Sequence, residues 1–106
     1  MRKIAVIGGS GFIGRNLCEY LSKKNYVLNI DLKKINGIAN LKNKIININN
    51  EKKLTKAIKN CEYVFHFAGV SDLNKALNNP KKTAESNVIG TINVLNACVN
   101  NKVKKV

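Results

Sequence analysis

Tryptophan is absent from this chain, proline occurs once, at Pro80, and the aromatics come to three Phe and three Tyr. So sparse a set leaves no platform on which successive nucleobases could stack. Long apolar runs are missing too: none approaches the ~20 residues that a membrane-spanning helix needs, and no membrane partner is expected. The basic opening Met1-Arg2-Lys3 is like the start of a secretory signal, but the apolar stretch behind it is short and runs straight into glycines. Cysteine is scarce and scattered. Cys18, Cys61 and Cys98 are an odd number at wide spacings with no C-x-x-C pair. That pattern excludes a disulfide framework and a zinc site, leaves no metal ligand set to assign, and suits a reducing cytoplasm. Acidic residues are few as well.

Six Asp and Glu stand against 19 Lys and Arg, for a formal charge of +13 and a pI near 9.9. Such a balance ordinarily points to nucleic acid or an anionic membrane. Here the lysines fall in separated pairs at 23–24, 33–34, 52–53, 81–82 and 104–105 rather than in one block. Lys, Asn and Ile together make 47 of the 106 residues, and all three have A/T-rich codons. A skewed genome accounts for the charge, and no specific nucleic-acid partner is expected.

What is present is an alternation of strands and helices over 106 residues, enough for one small domain. Lys3–Ile7 is an apolar run ending in glycine, as in a buried parallel strand. Ile13, Leu17, Tyr20 and Leu21 follow at helical spacing and predict a helix stopping near Ser22–Asn25. Tyr26–Ile30 is a second strand closed by Asp31, residues 32–43 read mostly as loop, and Lys44–Ile48 is a third, shorter strand. Glu51–Asn60 carries Leu54, Ala57 and Ile58 at helical spacing, with acid at its start and Lys59 near its end. Tyr63–Phe67 is a fourth strand, Ser71–Asn79 a brief helical turn, and Pro80 starts a last helix reaching about Asn101. On that helix Val88, Ile92, Leu95 and Val99 form one stripe, and Val103–Val106 begins a fifth strand. Right-handed crossovers then imply an α/β, doubly wound parallel sheet of Rossmann type, order 3-2-1-4-5, truncated after four to five strands.

Between the first strand and first helix lies Gly8-Gly9-Ser10-Gly11-Phe12-Ile13-Gly14. Gly8 permits a tight turn, the missing Cβ of Gly11 lets backbone approach a pyrophosphate, and Gly14 lets the helix pack close to the sheet. The helix N-terminus adds N–H donors and positive dipole for an anion. Asp31 ends the second strand 23 residues after Gly8, where a carboxylate accepts both hydroxyls of an adenosine ribose. A carboxylate there repels a 2′-phosphate, which favours NAD over NADP, while Lys33 and Lys34 soften the repulsion.

These residues resemble the extended short-chain dehydrogenases/reductases, in the nucleotide-sugar epimerase/dehydratase group. The resemblance is carried by Ile4–Gly14, by Val64-Phe65-His66-Phe67-Ala68-Gly69 as found especially in UDP-glucose 4-epimerases, and by Asn87-Val88-Ile89-Gly90-Thr91-Ile92-Asn93. It implies that residues 1–106 are the N-terminal part of an NAD-binding Rossmann domain. Gly8, Gly11, Phe12, Ile13 and Gly14 would cradle the pyrophosphate, and Asp31 would hold the adenine ribose. Asn47 and Ile48 would lie beside the adenine, with Asn47 where the family often has Asp. Phe67, Ala68 and Gly69 would run along the nicotinamide side, and Asn87 near the cofactor. Ser86 replaces an asparagine common in the epimerases, and Ile7 a frequent threonine.

The family's chemistry uses a Ser or Thr and a Y-x-x-x-K pair, which follow the fifth strand. The only such spacing here, Tyr20 to Lys24, sits on the helix after the glycine loop, so no catalytic residue is assigned. His66, inside an aromatic strand, reads as a packed histidine rather than a base. The three cysteines read as buried neutral thiols. Ser71 and Asp72 lie at the carboxyl edge, as a substrate contact or a loop cap. The expectation is the NAD-binding portion of an enzyme moving hydride between a nucleotide-sugar and NAD, inactive alone. A stand-alone dinucleotide-binding module is the alternative. The resemblance further implies a homodimer through the 81–101 helix, and the unpaired edge and bare stripe predict an isolated chain that is marginal or self-associating.

Overall fold

A computed structural model describes every residue from Met1 to Val106 except Ser71, so the reading of Ser71 lies outside the described residues. Four parallel strands form one sheet in the order β3-β2-β1-β4, the Rossmann-like arrangement expected. They are β1 (Lys3–Ile7), β2 (Tyr26–Asp31), β3 (Leu41–Ile45) and β4 (Tyr63–His66). β1 runs at the centre, and Ile4, Ala5, Val6 and Ile7 are all buried. Continuous apolar burial is what a strand covered on both faces requires. Of the fifth strand there is one parallel bridge, Tyr63 to Lys105, on the free side of β4. Its carbonyl at Lys105 accepts from Val64 N–H at 3.1 Å.

β3 starts three residues earlier than its apolar letters imply, and this corrects the expected span of 44–48. The cause is Asn43. Its amide accepts from Ile35 N–H at 3.0 Å and donates to Ile35 C=O at 2.8 Å, and Asn29 Nδ2 donates to its Oδ1 at 2.9 Å. That network sets Asn43 opposite Asn29 in the ladder and pulls the strand forward. Ile46 and Asn47 then leave the sheet, while Ile48 returns to the core at 7% exposure.

The helices cover both faces. On one, α2 (Glu51–Ala57) and α5 (Gly90–Asn100) bury Leu54, Ile58, Val94 and Ala97 against Ala5, Ile7, Leu28 and Ile30. On the other, α1 (Phe12–Leu21) and the loop after β2 bury Cys18 and Ile35 against Val6 and Val27. α2 is capped by Asn50, whose side chain accepts from Lys53 N–H, and it ends before the expected Asn60, which takes φ +68°. On α1 half of the expected apolar stripe is corrected: Leu17 and Leu21 pack partly buried against the core, but Ile13 and Tyr20 are 64% and 72% exposed. Gly14 and Cys18, four residues apart, make the buried line instead, because a glycine lets the helix come nearest the sheet there.

α3 (Leu73–Asn78) is capped by Asp72, whose carboxylate accepts from Asn74 and Lys75 N–H, which is the cap reading of that residue. The last helix is not uniform. α4 (Pro80–Ala84), with Pro80 at its first turn, passes into a π-helical turn over Glu85–Ile89 and then into α5. Its stripe lies bare: Val88, Ile92, Leu95 and Val99 are all exposed. Among the described residues no helix is long and apolar enough to cross a membrane.

Candidate dinucleotide site

At the carboxyl ends of β1, β2 and β4 a groove of about 1050 Å³ opens, of the size small-molecule sites occupy. This is the crevice where open α/β sheets bind ligands. Its walls bring together Gly8, Gly11, Asp31, Asn47, Ile48, Phe67, Ala68 and Gly69 from the sequence reading. Lys33, Lys75, Lys81 and Lys82 face it as well, against Asp31 and Glu85, so cations outnumber acids around it.

The turn after β1 is fixed by its neighbours. Gly8 N–H donates to Ile30 C=O at 2.8 Å, and its φ of +88° lies in the left-handed region. Phe67 and Ala68 N–H both reach Ile7 C=O, at 2.7 and 3.1 Å, and press β4 against the turn. A Cβ at Gly14 would lie 2.4 Å from Gly8 C=O and 2.7 Å from Gly9 Cα. At Gly11 a Cβ would meet only Gly8 C=O, at 3.6 Å. The fold demands Gly8 and Gly14 for its own packing, whereas Gly11 leaves space on the groove side. That space beside the first turn of α1, whose N–H groups lack helical acceptors, is a cradle for an anion.

Asp31 ends β2 half-buried beside this loop. Its carboxylate accepts from Ser10 N–H at 3.0 Å, from the Ser10 hydroxyl, and from Leu32 N–H at 2.7 Å. Both oxygens are thereby oriented without a cationic partner among these bonds; Oδ1 keeps a lone pair for a hydroxyl donor, and rotation of the Ser10 hydroxyl frees a second site on Oδ2. Asn47 is exposed, and its Oδ1 accepts from Asn49 N–H at 2.9 Å. Ile48 is held under α5, where a Cβ at Gly90 would meet its Cδ1 at 2.4 Å. Phe12 is 86% exposed beyond the loop, and neither Phe12, Ile13, Gly14 nor Asn87 lines the groove.

The opposite wall is the segment after β4. Phe67 is 43% exposed and stacks on Phe65, with ring centroids 6.4 Å apart. His66 Nε2 lies 2.9 Å from Thr91 Oγ1, and burial lowers its pKa below 6.5, so the ring is packed and neutral near pH 7. The thiols are neutral too: burial pushes Cys18 up to about 11 and raises Cys61 and Cys98, the last also through Cys61.

Sequence reasoning missed Gly9 and Asn29. A Cβ at Gly9 would lie 2.4 Å from Asn29 Oδ1 and 3.0 Å from Cys18 Sγ, so this glycine is as constrained as its neighbours. The doubled glycine was the available signal; Asn29, a polar residue in an apolar strand, was the other.

The residues present fit a dinucleotide: an open glycine cradle for a diphosphate, an oriented carboxylate for a ribose, and cations around the groove. Comparison with known proteins agrees with this geometry. The NAD dependent epimerase/dehydratase family matches residues 4–106. The chain is 32% identical over 109 residues to the UDP-glucose 4-epimerase of Mycoplasma genitalium, covering 92% of this chain and 32% of that protein. In structure it resembles the UDP-N-acetylglucosamine 4-epimerase of Methanobrevibacter ruminantium, solved with UDP-N-acetylmuramic acid, at TM-score 0.88 and 27% identity. That match covers 99% of this chain and 36% of the other. It also resembles MoeE5, solved with UDP-glucuronic acid and NAD, at TM-score 0.86 and 25% identity, over 95% of this chain and 34% of the other. The chain thus spans about a third of the length of each of these three.

Proposed function

We propose that this chain, which belongs to the NAD dependent epimerase/dehydratase family, is the NAD-binding portion of a nucleotide-sugar epimerase or dehydratase. The open face of Gly11 beside the oriented Asp31 carboxylate carries this reading. Gly8 and Gly11 border the diphosphate, the backbone N–H groups of Phe12 and Ile13 at the start of α1 donate to it from the groove's end, and Gly14, packed on Gly8, holds the turn from behind. Asp31 accepts the adenosine ribose hydroxyls, Asn47 and Ile48 lie at the adenine, and Phe67, Ala68 and Gly69 flank the nicotinamide. NAD, when bound, supplies a hydride acceptor that the sugar can reduce and recover from. This chain's residues bind and orient it; among the described residues no Ser/Thr and Y-x-x-x-K set stands in register with the groove, and no step of turnover is assigned to them.

The bare stripe Val88, Ile92, Leu95 and Val99 supports a homodimer through the 81–101 helix. A chain that sediments as a monomer at every concentration refutes it. Three free, buried cysteines support a cytoplasmic setting.

Calorimetry with NAD and NADP tests the cofactor. NAD is expected to bind more tightly, and Asp31→Ala to narrow the ratio by removing the charge facing a 2′-phosphate. Absence of binding, or NADP the tighter ligand, overturns the reading.

A further inference from the structure

β2 and β3 run parallel, yet the crossover between them, residues 32–40, carries no helix. Ile35 lies within it, 3% exposed, packed with Val6, Cys18 and Val27 on the α1 face of the sheet. A buried residue off the ladder must still pair its N–H and C=O. Asn43 on β3 serves both: its Oδ1 accepts from Ile35 N–H at 3.0 Å, and its Nδ2 donates to Ile35 C=O at 2.8 Å. Asn29 Nδ2 fills the second lone pair of that oxygen at 2.9 Å. Neither amide is free to flip. Asn43 must present its oxygen to two N–H groups, so Asn29 turns its own Oδ1 the other way, towards Gly9. There it is buried and has no donor among the described residues. A buried carbonyl without a donor is costly and calls for a reason.

That reason lies at the start of the same crossover. Leu32 N–H donates to Asp31 Oδ1 at 2.7 Å, and Asp31 and Leu32 both line the groove, whereas Asn29, Ile35 and Asn43 do not. We infer that Asn43 is a positioning residue for the ribose end of the groove: paired with Ile35 and braced by Asn29, it holds the turn after β2 so that Leu32 N–H keeps the Asp31 carboxylate oriented for ribose hydroxyls. The inference deepens the NAD-binding reading and rests on it for its effect on affinity, but the Asn29–Asn43–Ile35 relay belongs to the chain without ligand.

Residue-resolved amide hydrogen exchange on the full chain tests the relay. Calorimetry tests its consequence with two ligands, NAD and an NAD analogue lacking both adenosine ribose hydroxyls. In the unliganded chain, Asn43→Val is expected to speed exchange at Ile35 about tenfold, and to speed it at Leu32 as well, with Ile4–Ile7 unchanged. NAD is expected to bind that variant about threefold more weakly, while the analogue, which offers Asp31 no hydroxyl, binds it as it binds the unsubstituted chain. Asn43→Asp keeps the acceptor for both N–H groups and loses only the donor to Ile35 C=O. It decides the matter if Asn43→Val does not fold, with the same selective loss at about twofold. Unchanged exchange at Ile35 or Leu32 overturns the inference, as does faster exchange with unaltered NAD affinity. Equal weakening of both ligands also overturns it, since Asn43 then supports the fold alone. If the unsubstituted chain does not bind NAD, or binds the analogue as tightly, the functional reading falls. Exchange at Leu32 in the unliganded chain then decides whether the relay holds the Asp31 turn.

Discussion

On the β1–α1 side of the groove, backbone touches backbone. Gly8 and Gly14 are excluded from bearing a Cβ by Ala68 N–H and Gly8 C=O, at 2.6 and 2.4 Å. On the β4 side the backbone bonds of Phe67 and Ala68 to Ile7 C=O end at Ala68, and beyond them the wall is held through side chains: Asn87 on Val70, and Thr91 between Asn87 and His66. The first construction is rigid because any yielding moves a peptide group. The second is adjustable, since a side-chain hydrogen bond contributes only about 1 kcal/mol net. A dinucleotide spanning both would meet a preformed cradle at its diphosphate and a tunable wall at its nicotinamide end.

That contrast breaks most visibly at Gly14. Gly14→Ala forces a methyl into Gly8 C=O and is expected to cost about 3 kcal/mol, at the upper end of overpacking effects, read as a fall in the urea midpoint. A cost below about 1 kcal/mol would mean that the cradle yields as readily as the opposite wall. Gly11 tests the cradle's other property. Because its Cβ direction is open, Gly11→Ala should change stability by less than about 1 kcal/mol, yet weaken NAD binding by about tenfold, ~1.4 kcal/mol, in a calorimetric titration. Loss of stability without loss of affinity would reverse that assignment.

The smallest effect belongs to the β4 wall and appears as pH dependence. Burial holds the His66 pKa below its ordinary 6.5, so the unfolded chain takes up the proton first. Its contribution is intact above pH 6.5 and is lost as the pH falls from there through the folded-state value. Urea unfolding between pH 7 and 5 should show stability declining, with a shallower slope in His66→Gln. Glu62, whose pKa lies below 4.5 through its hydrogen bond from Lys104, titrates under that window. A slope unchanged by His66→Gln would detach His66 from the wall's stability.

Much of this was legible in the letters. β1, the glycine spacing, Asp31 at the end of β2 and Pro80 opening the last helix are local signals, each decided by residues a few positions apart. Gly8 must turn, and Asp31 must follow an apolar strand. The start of β3 was not legible, because Asn43 pairs with Ile35 and Asn29, and nothing in Leu41-Lys42-Asn43 announces those partners. Nor was the exposure of Tyr20, because a helix's buried line follows its closest approach to the sheet, set by Gly14, rather than its most apolar letters. Asn87 matched a family motif by position, yet its use of both amide atoms on Val70, 17 residues away, is invisible without the fold.

The chain's order by itself determined the α/β alternation, the glycine turn and the acid at the end of the second strand, since period, backbone freedom and charge are properties of neighbouring residues. Only the tertiary structure decided which glycine faces open space, where the edge strand begins and what the π turn holds. Those are matters of steric clearance and hydrogen-bond pairing between segments that meet only once the sheet has formed.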